Sequence, residues 1–516
     1  MPAPLTLRLR NTLTRQIEPV VPLESGRVRM YTCGPTVYRF AHVGNLRSFL
    51  LADLIRRALL YHGFEVRQVK NITDVGHLRD ERPGHVVDPM LVQAGLEGRS
   101  PAEIAAAYEA AFHADEAAVN ILPAHVFPRA TDHIQDMIRL AEALEDSGHA
   151  YATAEGNVYY DVASFPGYGR LSGNTLGDLR AGHRGDVEPD KRDPADFALW
   201  KSAGEGRVLK WPTARWGEGF PGWHLECSAM SMRYLGARFD IHTGGIDNVF
   251  PHHEDEIAQS APIGGGLPAR HWVHGEFLLM DGRKMAKSAG NFQRVTELVD
   301  RGFDPLAFRY LALTSRYERK LGYSERSLGA AAAALESLRA RLRALGAPPA
   351  DGDWAAPQPL VAPNAGDRPI DVVDGPAGHG DDGSFAISDR ATQPGAPLSA
   401  AGRDIHDRFV AAIDDDLDMP TAVALVREIV RSRLGADERR WLILDADLVL
   451  GLDLHRVWES SADDAPPAAV AALAAERTSA RSRRDFARSD AIRDELAGLG
   501  WEVVDGPSES SLRRRV

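Results

Sequence analysis

Residues 27–73 restrict the fold more than any other stretch of the chain. RVRMYTC (27–33) reads as a short strand, LRSFLLADLIRRALLYHG (46–63) has helical apolar spacing and stops at Gly63, and FEVRQVKNIT (64–73) begins a second strand at once. Strand, loop, helix and strand within about fifty residues make a βαβ unit, so a parallel sheet with helices on its faces is expected. Ligands of such sheets sit at the carboxyl ends of the strands. The loop at that place is TCGPTVYRFAHVGN (32–45), which holds Cys33, one of only two cysteines in 516 residues.

Strand character returns in RFDIHTGG and WVHGEFLLM, which flank a helix beginning near PHHEDEIAQSA. Between the two halves, PAEIAAAYEAAFHADEAAVNI and ATDHIQDMIRLAEALEDSG read as amphipathic helices and YATAEGNVYYDV as a hairpin. After residue 300 the pattern is helical, through DPLAFRYLALTS, ERSLGAAAAALESLRARLRALG, DIHDRFVAAIDDDLDMPTAVALVREIVRSRLG and AAVAALAAERTSARSRRDFARSDAIRDELAGLG. The expected plan is α/β: a sheet domain in two halves (1–115 and 206–300) around an insertion (116–205), then helical regions at 301–346 and 404–516. Residues 347–403, rich in Pro, Gly, Ala and Asp without periodicity, are expected to be a disordered linker or insertion.

Composition narrows the function classes. No run approaches the ~20 apolar residues of a membrane span, and MPAPLTLRLRNTLTRQ lacks a signal-peptide core. Two cysteines cannot build a disulfide framework, so a cytoplasmic protein is expected. The net charge of −13 argues against a surface coated for indiscriminate nucleic-acid binding. The charge is uneven, however: residues 351–400 hold eight Asp against two Arg, whereas from Arg477 onward nine Arg outnumber seven acids. A local basic surface survives inside an acidic protein.

Four short stretches carry candidate chemistry. HVGN (42–45) places a His and a side-chain-free Gly just before a helix, where backbone N–H groups can meet a phosphate; it can equally be a plain loop turn. DGRKMAKSAGNF (281–292) holds Lys284 and Lys287 in a Gly-flanked segment that could neutralise a phosphate chain, or could simply be solvated. In FPHHEDEIAQS (250–260), His252 and Glu256 stand four apart and would share a helix face. PGWHLECSAMSM (221–232) supplies Cys227. Cys33, Cys227, His252 and Glu256 would together suit zinc, yet spacing alone leaves them equally readable as two core cysteines and an ion pair.

The order of these stretches resembles one family. CGPTVY…HVGN, NITDV, GWHLECSAM, GGIDNVFPHHEDEIAQS and KMAKSAGNF are similar, in sequence and order, to the cysteinyl-tRNA synthetases of class I, with HVGN at the HIGH signature and KMAKS at KMSKS. The likeness spans roughly residues 25–345 and continues more weakly through RDFARSDAIRDELAGLGWEVVD. It implies a class I Rossmann-like nucleotide-binding domain with an inserted connective domain and helical C-terminal domains that contact tRNA. It implies zinc ligands at Cys33, Cys227, His252 and Glu256, and an amino-acid pocket lined by Thr73, Trp223 and His242. It also implies an ATP site around His42, Gly44, Asn45, Asp247, Lys284 and Lys287. The implied partners are L-cysteine, ATP with Mg2+ and tRNA(Cys), with one zinc per subunit, no membrane and a monomeric chain. No segment is a candidate proofreading domain.

Four departures stand out. Ala286 replaces the usual serine of KMSKS, NITDVGHL lacks the paired aspartates common after NITDV, residues 347–403 are long, and the chain ends DGPSESSLRRRV. Two rival readings remain at this level: a mycothiol-pathway cysteine ligase, which passes cysteine to an amino-sugar, and a non-catalytic RNA- or zinc-binding paralogue.

Overall fold

A computed structural model describes residues 6–75, 79–82, 85–87, 89–175, 177, 190–204, 207–280, 282–285, 293–360, 396–459, 468–499, 501–505 and 510–514. The chain forms two compact units, Met1–His455 and Arg456–Val516. The first opens with a hairpin, β1 (Arg8–Asn11) and β2 (Gln16–Pro19), followed by β3 (Arg27–Thr32), α1 (Val43–Tyr61) and β4 (Glu65–Lys70). A small hairpin, β5 (Arg79–Arg82) and β6 (His85–Val87), leads to α2 (Pro89–Glu97), α3 (Pro101–Ala118) and α4 (Ile134–Asp146). Five short strands come next: β7 (Ala150–Ala152), β8 (Val158–Tyr160), β9 (Phe197–Ser202), β10 (Trp211–Thr213) and β11 (Gly217–Pro221). They form one antiparallel sheet in the order β10-β11-β9-β8-β7.

The chain then returns to the first sheet through α5 (Trp223–Leu235), β12 (Phe239–Gly245), α6 (Glu254–Gly264) and β13 (Ala269–Gly275). The completed sheet runs β13-β12-β3-β4 and is parallel throughout. All seven residues of β12 are buried, as expected for a central strand covered on both faces. From β3 the chain crosses to β4 on one side, and from β12 it crosses to β13 on the other. The crevice between the ends of β3 and β12 is therefore the switch point where α/β sheets take ligands.

α1 is buried around nearly its whole circumference, and wholly enclosed residues such as Leu46, Ile55 and Leu59 each contribute about 1.5–3 kcal/mol. The helix ends where Gly63 adopts φ +77°. Enclosure also buries Asp53 and Arg57, which are bonded at 2.8 Å. Beyond β14 (Leu278–Met280), β15 (Arg283–Lys284) and α7 (Val295–Asp300) comes α8 (Pro305–Leu313), whose Arg309 adds a second cation at 2.6 Å from Asp53. Burial works against the Asp53 charge, but the two guanidinium groups outweigh it and hold its pKa down. After β16 (Leu321–Tyr323) and α9 (Glu325–Arg343), the helices α10 (Ala400–Asp414), α11 (Met419–Arg431) and α12 (Ala436–Leu450) close the unit. Arg57 donates to the Leu448 carbonyl at 3.2 Å and Arg309 to the Leu450 carbonyl at 2.6 Å, so α12 is tied directly to α1.

The second unit pairs α13 (Ala468–Ser482) and α14 (Phe486–Gly498) with a hairpin, β17 (Trp501–Asp505) and β18 (Ser510–Arg514). Its small core is Val470, Ile492, Leu496 and Trp501. The expected linker at 347–403 lies largely outside the described residues, as do Ala286 and Lys287; Lys284 closes β15. Among the described residues, no helix is long and apolar enough to cross a membrane.

Candidate metal and substrate site

Cys33 is the first residue after β3, and a close approach fixes its loop. A side chain at Gly34 would lie 1.6 Å from the Asn71 carbonyl oxygen, so only glycine fits, and its N–H donates to Asn71 Oδ1 at 2.9 Å. Cys227 stands on α5, one turn after Trp223. His252 and Glu256 straddle the start of α6, and the four-residue spacing puts both side chains on one face.

These four converge. The Sγ atoms of Cys33 and Cys227 are 3.8 Å apart, Cys33 Sγ is 3.5 Å from Glu256 Oε1, and His252 Nε2 is 3.1 Å from the same oxygen. The edges of a zinc tetrahedron with bonds of about 2.0–2.3 Å measure about 3.3–3.8 Å. The donor set therefore fits that ion in both chemistry and size. A second, overlapping quartet shares Cys33 and Glu256 but replaces the other two with His242 and His253. Two sulfurs favour the first quartet for a soft, four-coordinate ion.

The pocket is polarised before any ion arrives. Burial pushes the Cys33 thiol well up, helped by its hydrogen bond to Cys227. Burial acts on Cys227 in the same sense, but that bond and His252 outweigh it, and its pKa is lowered. Against its own burial, His252 is pushed well up by Cys227 and Glu256. Glu256 is also desolvated, yet His242 and His252 hold it down at about 2. The Glu256 carboxylate thus stands ready as a ligand, and of the two sulfurs Cys227 is the one whose proton is held less tightly.

Neighbouring side chains lock these groups in place. His224 Nδ1 lies 2.7 Å from His252 Nδ1, and its Nε2 is 3.3 Å from Asp255 Oδ2. Tyr168 donates to the other oxygen of Asp255 at 2.5 Å. The Trp223 ring sits 4.9 Å from that of His252. His242 is fully enclosed on β12, with Nε2 2.9 Å from Glu256 Oε2 and its ring stacked on Trp272. Thr73 is buried and donates to Glu226 Oε2 at 2.7 Å.

The N-terminus of α1 borders the same crevice. His42 is its N-cap, accepting from the Asn45 N–H at 3.1 Å, while Asn45 Oδ1 accepts from the His42 N–H at 3.2 Å. Gly44 is packed so closely that a Cβ there would meet the His42 ring at 2.9 Å. Asp247 is exposed just beyond β12, where a Cβ on Gly245 would meet Asp247 Oδ1 at 2.6 Å and Ser48 Oγ of α1 at 3.2 Å. The structure therefore gathers the sulfur-bearing set, the start of α1 and Asp247 at the ends of β3 and β12. Sequence reasoning missed His224, His253, Asp255 and Asn71. The run HHEDE was the available signal for two of them, but adjacent histidines cannot be ranked without packing.

Known proteins resemble this chain along nearly its whole length. The family described as tRNA synthetases class I (C) catalytic domain matches residues 19–333. "Cysteine--tRNA ligase 1" of Burkholderia lata is 40% identical over 512 residues, covering 98% of this chain and 97% of the relative. "Cysteine--tRNA ligase" of Treponema denticola is 34% identical over 521 residues, covering 99% and 100%. Among solved structures, the LeuRS–tRNA–LeuAMS ternary complex of Agrobacterium radiobacter has a TM-score of 0.53 at 11% identity, covering 85% of each chain. Methionyl-tRNA synthetase of Mycobacterium tuberculosis, bound by methionyl-adenylate, scores 0.50 at 13% identity, covering 84% and 90%. These two likenesses speak for the fold alone. With a parallel sheet carrying its ligand groups at the switch point and full-length relatives above 30% identity, the chain belongs to the cysteinyl-tRNA synthetase family of class I.

Proposed function

We propose that this enzyme joins L-cysteine to tRNA(Cys) in two steps. The cysteine carboxylate attacks the α-phosphate of ATP and pyrophosphate leaves; a terminal ribose hydroxyl of the tRNA then takes the acyl group from cysteinyl-adenylate. Neither step needs an enzyme nucleophile, so positioning and charge stabilisation supply the rate. His42, the Asn45 side chain and the Gly44 N–H in the first turn of α1 meet the α-phosphate, with Gly44 leaving room for it. Asp247 holds the nucleotide, and Lys284 and Lys287 neutralise the outer phosphates, to which Mg2+ is bound. Thr73, Trp223 and His242 shape the amino-acid pocket, His242 acting through Glu256. The helical regions 301–346 and 404–516 hold the tRNA.

Cys33, Cys227, His252 and Glu256 would hold zinc. Bound there, zinc supplies a contact that a substrate thiolate fills far better than a hydroxyl, a discrimination that shape alone gives only weakly. The observation that carries the reading is this quartet at the ends of β3 and β12, beside the start of α1. The test is charging of tRNA(Cys) with labelled cysteine, with serine as competitor and with a chelated sample alongside. Charging confined to cysteine and to metal-replete protein is expected. Equal charging with serine would overturn the selecting role of the metal, and no charging at all would overturn the proposal.

A further inference from the structure

Behind Cys33 stands a line of three side chains drawn from distant parts of the sequence. His253 Nε2 lies 3.2 Å from Cys33 Sγ. On its other side, His253 Nδ1 is 2.7 Å from His274 Nε2, and His274 Nδ1 is 2.7 Å from Thr12 Oγ1. The turn after β1 supplies Thr12, β13 supplies His274, and the residue before α6 supplies His253. Both rings are buried, and the Thr12 backbone is pinned by its own bond to the Trp272 carbonyl at 2.8 Å.

Counting protons gives the line a direction. Each short contact needs one proton, and with one N–H on each ring two arrangements satisfy the line. In one, every N–H and O–H points toward Cys33; in the other, every one points toward Thr12. The second would turn a bare nitrogen lone pair toward a metal-bound thiolate, which has no proton to give. Glu256 Oε1, at 3.9 Å from His253 Nε2, is too far to take its N–H instead. Burial drives His274 down to about 3, so this ring is neutral and passes on a single N–H.

We infer that Thr12, His274 and His253 form a one-way donor chain ending on Cys33 Sγ, in which the thiolate sets the direction and Thr12 supplies the outermost proton. This rests on the metal pocket proposed above. The Thr12 hydroxyl donates to His274 Nδ1, His274 Nε2–H donates to His253 Nδ1, and His253 Nε2–H donates to the sulfur. No bond is made or broken. The terminal N–H draws charge from the thiolate and fixes its lone pairs, so Thr12 and His274 are positioning residues for a metal ligand that neither touches.

The test uses the whole protein loaded with Co2+, whose thiolate-to-metal absorption band reports charge on sulfur. Wild type, Thr12→Ser, Thr12→Val and Thr12→Ala are compared, with melting curves to verify folding. Thr12→Ser keeps the hydroxyl and should match wild type. Thr12→Val and Thr12→Ala should shift the band to lower energy and weaken Co2+ binding, measured by chelator competition, about 10–100-fold. Folded Thr12→Val or Thr12→Ala protein with an unshifted band and unchanged affinity would overturn the donor chain while leaving the metal pocket standing. If wild type lacks a one-to-one Co2+ band, or Cys227→Ser retains it unchanged, the pocket reading itself fails.

Discussion

The sulfur pocket and the start of α1 border one crevice and are built in opposite ways. In the pocket, Cys227, His252 and Glu256 are each about 2 % exposed, and a second ring of Asn71, His224, His242 and His253 fixes their orientation. At the start of α1, Asn45 is exposed and His42 only half-buried, and the two brace each other through a local capping box. On the proposed function, the wall that would meet the amino-acid side chain is pre-formed, whereas the wall that would face the nucleotide keeps its hydrogen-bonding groups near the surface. Discrimination by one atom needs the first kind of wall; a large, charged, departing ligand needs the second.

Breaking the closed wall should cost most. Cys227→Ser should lose bound zinc and, with it, more than about 100-fold of cysteine-dependent ATP–pyrophosphate exchange. Normal exchange by a zinc-free variant would erase the contrast. Changing the open wall should cost rate alone: His42→Asn should lower exchange about 100-fold while zinc content stays at wild type. A parallel fall in zinc would mean that the two walls are not independent.

A third variant reaches the support beneath the open wall. Asp53→Asn leaves the Arg57 and Arg309 guanidinium groups buried without their anion, and should cost about 3–5 kcal/mol in urea unfolding. A loss under about 1 kcal/mol would show that α1 does not rely on this pairing.

The smallest effect belongs to Asp74, next to Thr73. Burial raises its carboxyl to about 6 even though two hydrogen bonds from Thr131 oppose the shift. The folded state then binds this proton more tightly than the unfolded chain, where the pKa is about 3.9. Its contribution is therefore complete below about pH 4 and fades as the pH rises through about 6, worth at most about 3 kcal/mol. Asp74→Asn should flatten that part of the stability profile; an unchanged slope between pH 4 and 6 would rule the assignment out.

The sheet was legible because period and punctuation agree: the stripe of α1, its stop at Gly63 and the strands on either side admit one topology. The quartet was legible only through the order of the motifs that hold it, which resembles one family; spacing alone left two core cysteines and an ion pair equally open. α12 was not. Its ADERRWLILDADLVL places Arg440, Asp445 and Asp447 at buried positions, so no clean apolar stripe survives. Arg440 is satisfied by the Leu345 carbonyl and Asp445 by the Tyr61 hydroxyl, tertiary partners that no local pattern announces, while Asp447 takes the Leu452 and Leu454 N–H groups just past the helix end. The Thr12 contact was equally invisible, since it joins residues 262 positions apart.

The bond between Arg57 and the Leu448 carbonyl has a consequence for synthesis. Helix α1 emerges early from the ribosome, but this acceptor is made 391 residues later. Until α12 appears, the guanidinium groups of Arg57 and Arg309 lack carbonyls that they hold in the finished protein. The first half of the sheet can pair while the chain is still growing, but α1 gains this carbonyl partner only near the end of translation. A gene stopped after Gly346 would deliver every candidate ligand, and the Asp53 that pairs with Arg57 and Arg309, yet leave each guanidinium group short of one carbonyl.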